Sequence, residues 1–486
     1  MPSFRSTVIT SLIWKFLERS SSQMASFVVS IVLARILAPE DFGLIALVLV
    51  FTNIAGVFIQ AGFSTALVQK KDADNIDFSS VFFVSLAIAV VFYVALFACA
   101  PLIASFYERN ELVPVIRCLS FTLIIGVFNS IQNAYVARHM LFKKLFFRSI
   151  CAVIPSGIAG IFFAYYGFGV WALVIQQLAN VSLMCIFMWF TVKWRPQLLF
   201  SWARVKELLS FGWKLLCSSL LDVVYGNLHS LVIGKIFAPT VLGFYSRGSH
   251  FPSIIISNIN SSIQAVLFPA FSMYQDDKSR LKQLVRRSIV TSSFVIVPLM
   301  AMLAALAEPL VLVVLGEKWL PCVPFVQIYC FIYSFWPIHT SNLSAINAVG
   351  RSDIFLKLEI IKKIVGLLML VLFIYYFRTP IGIACSGAVT SIMASFINAY
   401  PNKTLLNYGY AEQMKDIFPS YLLSFGIGLV LFYVSSLGLS PIFQLIILPI
   451  CGCVIYVAIA KLLQLEGVVY LLNMICEYSV KRKKFA

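Results

Sequence analysis

Lys15, Arg19, Ser22, Ser26 and Ser30 recur at steps of four, three, four and four residues. Lys214, Ser218, Asp222, Tyr225 and His229 repeat the pattern two hundred residues later, and His250, Ser253, Ser257, Ser261 and Gln264 follow it. Such spacing stacks side chains on one face of a helix. Guanidinium and ammonium groups in a row suit a multiply charged, phosphate-like anion, Arg by its planar fork and Lys as a point charge. Hydroxyl and amide groups beside them suit a polyhydroxylated ligand. What makes these rows informative is their setting, because each lies in a run of otherwise apolar residues.

Hydrophobic residues are 60% of the 486-residue chain and charged residues 12%, about half the charge of a soluble domain. Too little polar residue is present to wet a globule of this size, so the chain reads as an all-α polytopic membrane protein. Fourteen apolar runs between residues 11 and 463 are long enough to cross about 30 Å of hydrocarbon. The first covers 11–35, the seventh 208–235 and the eighth 243–271. The opening "MPSFRSTVITSLIWKFLERSS" is no cleavable signal peptide, since Lys15, Glu18 and Arg19 fall where its apolar core should be.

Alternate loops and the two termini hold 27 of the 37 Lys and Arg residues, and the opposite loops only Arg35, Arg109, Lys235, Lys318 and Arg378. This asymmetry predicts that both termini are cytoplasmic. The net charge of +17 and pI of 9.4 are therefore a topology signal, and no nucleic-acid partner is expected. The sequence has no Gly-rich phosphate loop, nucleophile elbow or paired His-Glu zinc motif, so neither cofactor nor metal is expected. Its eleven cysteines mostly fall inside apolar runs and read as small hydrophobes.

One stretch is written twice. "IVLARILAPEDFG" at 31–43 returns as "LVIGKIFAPTVLG" at 231–243, and Arg138-x3-Phe142-x-Lys144-Leu145 returns as Arg351-x3-Phe355-x-Lys357-Leu358. Runs one to six thus match runs seven to twelve as parallel repeats, a layout of alternating-access transporters. The expected organisation is two pseudo-symmetric six-helix lobes, 1–192 and 208–400, joined by a cytoplasmic linker, 193–207. Helices 13 and 14 then occupy 401–463, and a basic cytoplasmic tail, 464–486, could form an amphipathic helix on anionic lipid.

With fourteen spans as six plus six plus two, and with "LARILAPEDFGLIAL" at 33–47 and "GFSTALVQKKD" at 62–72, the chain resembles the Wzx-type polysaccharide flippases. These belong to the multidrug/oligosaccharidyl-lipid/polysaccharide exporter superfamily, and the resemblance points toward its colanic-acid and exopolysaccharide exporter branch. The resemblance implies translocation of undecaprenyl-diphosphate-linked oligosaccharide repeat units across a bacterial cytoplasmic membrane, for exopolysaccharide, O-antigen or capsule synthesis, through a V-shaped pair of lobes around a cationic cavity. The partners it implies are the lipid-linked oligosaccharide, membrane lipids, a proton or sodium ion, and polysaccharide polymerase machinery. A drug or cation antiporter of the same superfamily is the alternative transporter. A membrane polysaccharide polymerase or ligase is the alternative enzyme, but it would be expected to carry a large outer loop, and none here exceeds about ten residues.

From the residues themselves, the candidate cavity set is Arg19, Lys15, Lys214, Arg247, His250 and Arg117, with Asp222 as the candidate ion-coupling carboxylate. Each has a structural reading beside it. Lys15 could snorkel to the surface or pair with Glu18, Arg35 and Lys235 could anchor helix ends at the interface, and Asp222 could be the structural partner of Lys214 or another cation.

Overall fold

A computed structural model describes residues 4–60, 62–70 and 72–470. Lys71 and most of the expected tail helix, 471–486, lie outside the described residues. By packing, the chain divides into two compact units, Met1–Gly243 and Phe244–Ala486.

The first unit contains α1 (Phe4–Ile36), α2 (Pro39–Gln60), α3 (Phe63–Gln69), α4 (Asn75–Tyr107), α5 (Leu112–Arg138), α6 (Phe142–Tyr165), α7 (Val170–Thr191) and α8 (Trp202–Ile236). At its end begins α9 (Pro239–Ser272), which continues into the second unit. There follow α10 (Lys278–Ala305), α11 (Ala307–Val314), a 3-10 turn (Glu317–Cys322), α12 (Val323–Ser334), α13 (Trp336–Ala348), α14 (Ser352–Phe377), α15 (Pro380–Leu405), α16 (Tyr410–Ser435) and α17 (Pro441–Leu462). Among the described residues there is no β-strand. Among the described residues thirteen helical segments are long and apolar enough to cross a membrane, and every apolar run but the first overlaps one of them. The exception is α1, whose row of Lys, Glu, Arg and Ser lowers its apolarity.

Three runs are interrupted, and local chemistry explains where. The second run breaks at Gly62, whose φ of +70° a residue with a Cβ adopts only under strain. The tenth breaks at Phe335, where Pro337 enters the first turn of α13 and cannot donate a backbone hydrogen bond. The ninth breaks at Leu306, between α10 and α11. Pro155, Pro252, Pro269 and Pro298, by contrast, sit inside continuous helices.

In the first unit α1 packs on α6, α6 on α7, α4 on α5, and α8 on α2, α3 and α4. The seventh apolar run thus packs with the first unit. In the second unit α10 lies against α16, α12 and α13, α14 against α15, and α17 against α16 and α11. Polar side chains lock its interior: Asn342 donates to Gln413 (2.8 Å), Asn402 donates to Asn342 (2.6 Å), and Arg286 grips Asp416 by two bonds of 2.9 Å.

At one end of the first unit charges clamp helices together. Asp77, fully buried, meets Lys70 at 3.2 Å and Arg204 at 3.3 Å, while Asp74 caps α4 and meets Arg204 at 2.6 Å. Burial works against the Lys70 ammonium, but its bonds to Glu207 and Asp77 outweigh that and raise its pKa. Burial likewise works against the Asp74 carboxylate, yet hydrogen bonds from the Asp77 backbone and Arg204 outweigh it and lower its pKa.

The duplicated Ala-Pro stretch acquires a physical meaning here. Pro39 and Pro239 open α2 and α9, a position where the missing N–H costs nothing. A Cβ on Gly43 would lie 1.9 Å from the Pro239 carbonyl oxygen, and one on Gly243 would lie 2.0 Å from that of Pro39. Both segments belong to the first unit, and each glycine is the space the other copy's backbone fills. Gly43→Ala and Gly243→Ala are each expected to destabilise the purified protein by about 1–3 kcal/mol. Gly226→Ala, whose Cβ meets nothing within 4 Å, is expected to leave the thermal unfolding temperature unchanged or raised. Equal melting of all three variants would contradict the contact.

Candidate functional site

The rotation of α1 is set by α6. Trp14 packs edge-on to Phe146 at 5.3 Å, Glu18 accepts a 2.8 Å hydrogen bond from Ser149 Oγ, and a Cβ on Gly157 would lie 2.3 Å from Val29 Cγ2. With that face committed, Lys15, Arg19 and Ser26 are left exposed, while Ser22 and Ser30 are half-buried. Lys15 Nζ sits 5.6 Å above the Phe142 ring, a cation–π contact. Glu18, its expected i+3 partner, is instead directed to α6.

The second polar row behaves the same way. Lys214, Ser218 and Asp222 are exposed on α8, and Tyr225 and His229 are half-buried. Both rows belong to the first unit, and each keeps cations on a helix face that its packing partners do not cover. Desolvating such charges against lipid costs several kcal/mol, so the faces must meet water, protein or an anionic ligand.

The remaining candidates lie elsewhere. Arg117 donates to the Phe97 carbonyl at 3.3 Å and stacks 4.3 Å over the Phe97 ring. Its guanidinium is therefore engaged on the seam between α4 and α5. Arg247 and His250 lie on α9 in the second unit. Arg247 is half-buried where α9 meets α12, since a Cβ on neighbouring Gly248 would lie 2.5 Å from Phe325 Cβ. His250 is exposed, and its carbonyl accepts from Ser253 Oγ at 2.8 Å.

One cation was hidden among the loop charges. Arg148, counted by sequence with Lys143 and Lys144, is only 8% exposed inside α6 and donates to Asn133 Oδ1 at 2.5 Å. The neighbouring Glu18–Ser149 bond places a carboxylate beside it, so α1, α5 and α6 meet around a buried polar cluster. The available signal was Glu18 itself, because an acid inside an apolar run requires a partner.

Among the described residues no group of His, Cys, Asp and Glu is arranged to hold a metal ion. The two exposed rows are made chiefly of cations and hydroxyls, groups that suit an anion.

Comparison with known proteins places this geometry. Residues 32–324 match the family described as Polysaccharide biosynthesis protein. The succinoglycan biosynthesis transport protein ExoT of Rhizobium meliloti (strain 1021) is 28% identical over 64% of this chain and 63% of its own length. The teichuronic acid biosynthesis protein TuaB of Bacillus subtilis (strain 168) is 25% identical over 90% of each chain. The lipopolysaccharide biosynthesis protein WzxC of Escherichia coli (strain K12) is 24% identical over 82% of this chain and 83% of its own. In fold, the lipid II flippase MurJ in an inward closed conformation superposes with a TM-score of 0.75 at 15% identity, covering 93% of this chain and 98% of that one. An inward-facing multidrug resistance MATE family transporter of the MOP superfamily gives 0.61 at 15% identity, over 80% and 98%. In a fold shared by a lipid II flippase and a multidrug resistance transporter, and with a family match over more than half its length, the chain belongs to the family described as Polysaccharide biosynthesis protein.

Proposed function

We propose that the protein carries undecaprenyl-diphosphate-linked oligosaccharide repeat units from the cytoplasmic to the periplasmic leaflet of a bacterial cytoplasmic membrane, by alternating access. The observation that carries this reading is the exposure of Lys15, Arg19 and Lys214 on uncovered faces of α1 and α8, each within a largely apolar run. A diphosphate brings at least two negative charges and many acceptor oxygens, which suits such a face. The names of the relatives, which run from succinoglycan to teichuronic acid and lipopolysaccharide, support a glycan-bearing cargo. The cation asymmetry supports cytoplasmic termini. Energy must come from an ion gradient or from consumption of the flipped product, and Asp222, exposed near the middle of α8, is the acid placed to bind a proton or sodium ion. Polysaccharide polymerase machinery is the natural consumer of the product.

Arg19→Ala is expected to abolish surface polysaccharide while membrane abundance stays near normal, and Arg19→Lys to restore export only in part because the planar fork is lost. Arg148→Ala, by contrast, is expected to lower abundance itself, since it empties a buried site and strips the half-buried Asn133 of its donor, at a cost of about 1–3 kcal/mol. Immunoblotting of membranes alongside glycan quantification separates the two, and full export by Arg19→Ala would remove it from the cargo path.

In cells lacking native cysteines, residues placed at Lys278 and Arg351 are expected to be shielded from an impermeant thiol reagent, and one at Lys318 to react. Labelling of the first two from outside would reverse the direction of transport. In liposomes carrying a fluorescent lipid-linked oligosaccharide, Asp222→Asn is expected to lose the response to imposed proton or sodium gradients. A variant that responds like the wild type would leave Asp222 a structural residue.

A further inference from the structure

Within the first unit, α2, α3 and α8 line an open cavity of about 580 Å³, a size typical of pockets for small organic ligands. Asn53, Gln60, Ser219 and Asn227 line it together with the hydroxyls of Thr52, Ser64 and Thr65, and not one lining residue carries a charge. Between these groups stand Val57, Leu215 and Val223. At one end the backbones of Gly62 and Gly212 touch, for a Cβ on Gly62 would lie 2.7 Å from the Gly212 carbonyl oxygen. The Asn227 amide is held by the Val223 carbonyl at 2.7 Å.

Neutral amides and hydroxyls alternating with small apolar patches match one ligand chemistry well. Sugar rings present hydroxyls at their edges and C–H surfaces on their faces, and carry no charge that would need a counter-ion. A diphosphate would find no cation here, and a polyprenyl chain would strand the amides. The cavity is nevertheless adjacent to the cations. Leu215, Ser219, Val223 and Asn227 form a row at steps of four, one residue beyond Lys214, Ser218 and Asp222. One residue on an α-helix is a rotation of about 100°, so the neutral row and the charged row are neighbouring faces of α8.

We propose that this cavity is a saccharide subsite, taking neutral sugar residues of the cargo while the charged face of α8 takes the diphosphate. The assignment rests on the flippase reading above and adds to it a division of labour between two faces of one helix.

Gly56 supplies the test. It lines the cavity, and a Cβ there meets nothing within 4 Å, so the side chain of Gly56→Leu enters the cavity without moving the backbone. Gly426→Leu, on exposed α16 and equally open, is the control. Two probes are used: undecaprenyl diphosphate, and the lipid-linked oligosaccharide pool extracted from cells in which the gene is inactivated. Binding to purified full-length protein is read by native mass spectrometry. Gly56→Leu is expected to lose at least about tenfold affinity for the glycan-bearing lipid and to keep that for undecaprenyl diphosphate, with Gly426→Leu unchanged for both. Asn53→Ala combined with Gln60→Ala, which fills nothing, is expected to show the same selective loss and stands in should Gly56→Leu fail to reach the membrane. Variants that bind both probes like the wild type, or lose both alike, overturn the subsite. Wild-type protein that binds neither probe overturns the flippase reading instead.

Discussion

Charge held at membrane depth is the constraint from which the arrangement follows. A cation among apolar helices costs several kcal/mol unless a partner, water or a ligand meets it, and this chain meets the cost in distinct ways. Arg148 is buried and held from within by Asn133, with Glu18 and Ser149 alongside. Arg117 leans on a neighbouring carbonyl and ring. Lys15, Arg19 and Lys214 are left on uncovered helix faces. That last group is the least committed to the packing, since its side chains stay exposed, Lys15 above the Phe142 ring included, and so it can exchange partners with a ligand.

Close backbone approach is the second organising feature. Gly43 with Gly243, and Gly62 with Gly212, let segments distant in sequence touch main chain to main chain. Such contacts need no side-chain ordering, although fixing glycine backbone itself costs conformational entropy. The duplicated Ala-Pro stretch is conspicuous in the sequence because two helix starts must fit each other reciprocally, and a methyl group on either glycine spoils the fit.

Between these approaches lies a lining with no charge at all, beside a helix face that bears Lys214 and Asp222. A cargo that is anionic at one end and neutral at the other presents the matching pair of chemistries, and one helix can address both by showing each a different face.

The fourteen apolar runs and the two cationic rows on α1 and α8 were legible in the sequence, whereas the break at Gly62 was not, being set by a positive φ inside an otherwise unbroken apolar run. Hydropathy, proline and four-residue spacing are local properties that a helix in lipid expresses directly. What the sequence could not decide was which face of each helix would be covered. Arg148 and Arg19 look alike in sequence, each a cation near the start of an apolar run, yet one is buried on Asn133 and the other exposed. Ser219 and Asn227 look like ordinary polar residues until α2 supplies Asn53 and Gln60 across a cavity. Those outcomes depend on the rotation of each helix about its axis, and that rotation is set by distant partners: Ser149 and Gly157 for α1, the helices α2 to α4 for α8. Local spacing determined where the cations would stand, and only tertiary packing decided which of them remain available to a ligand.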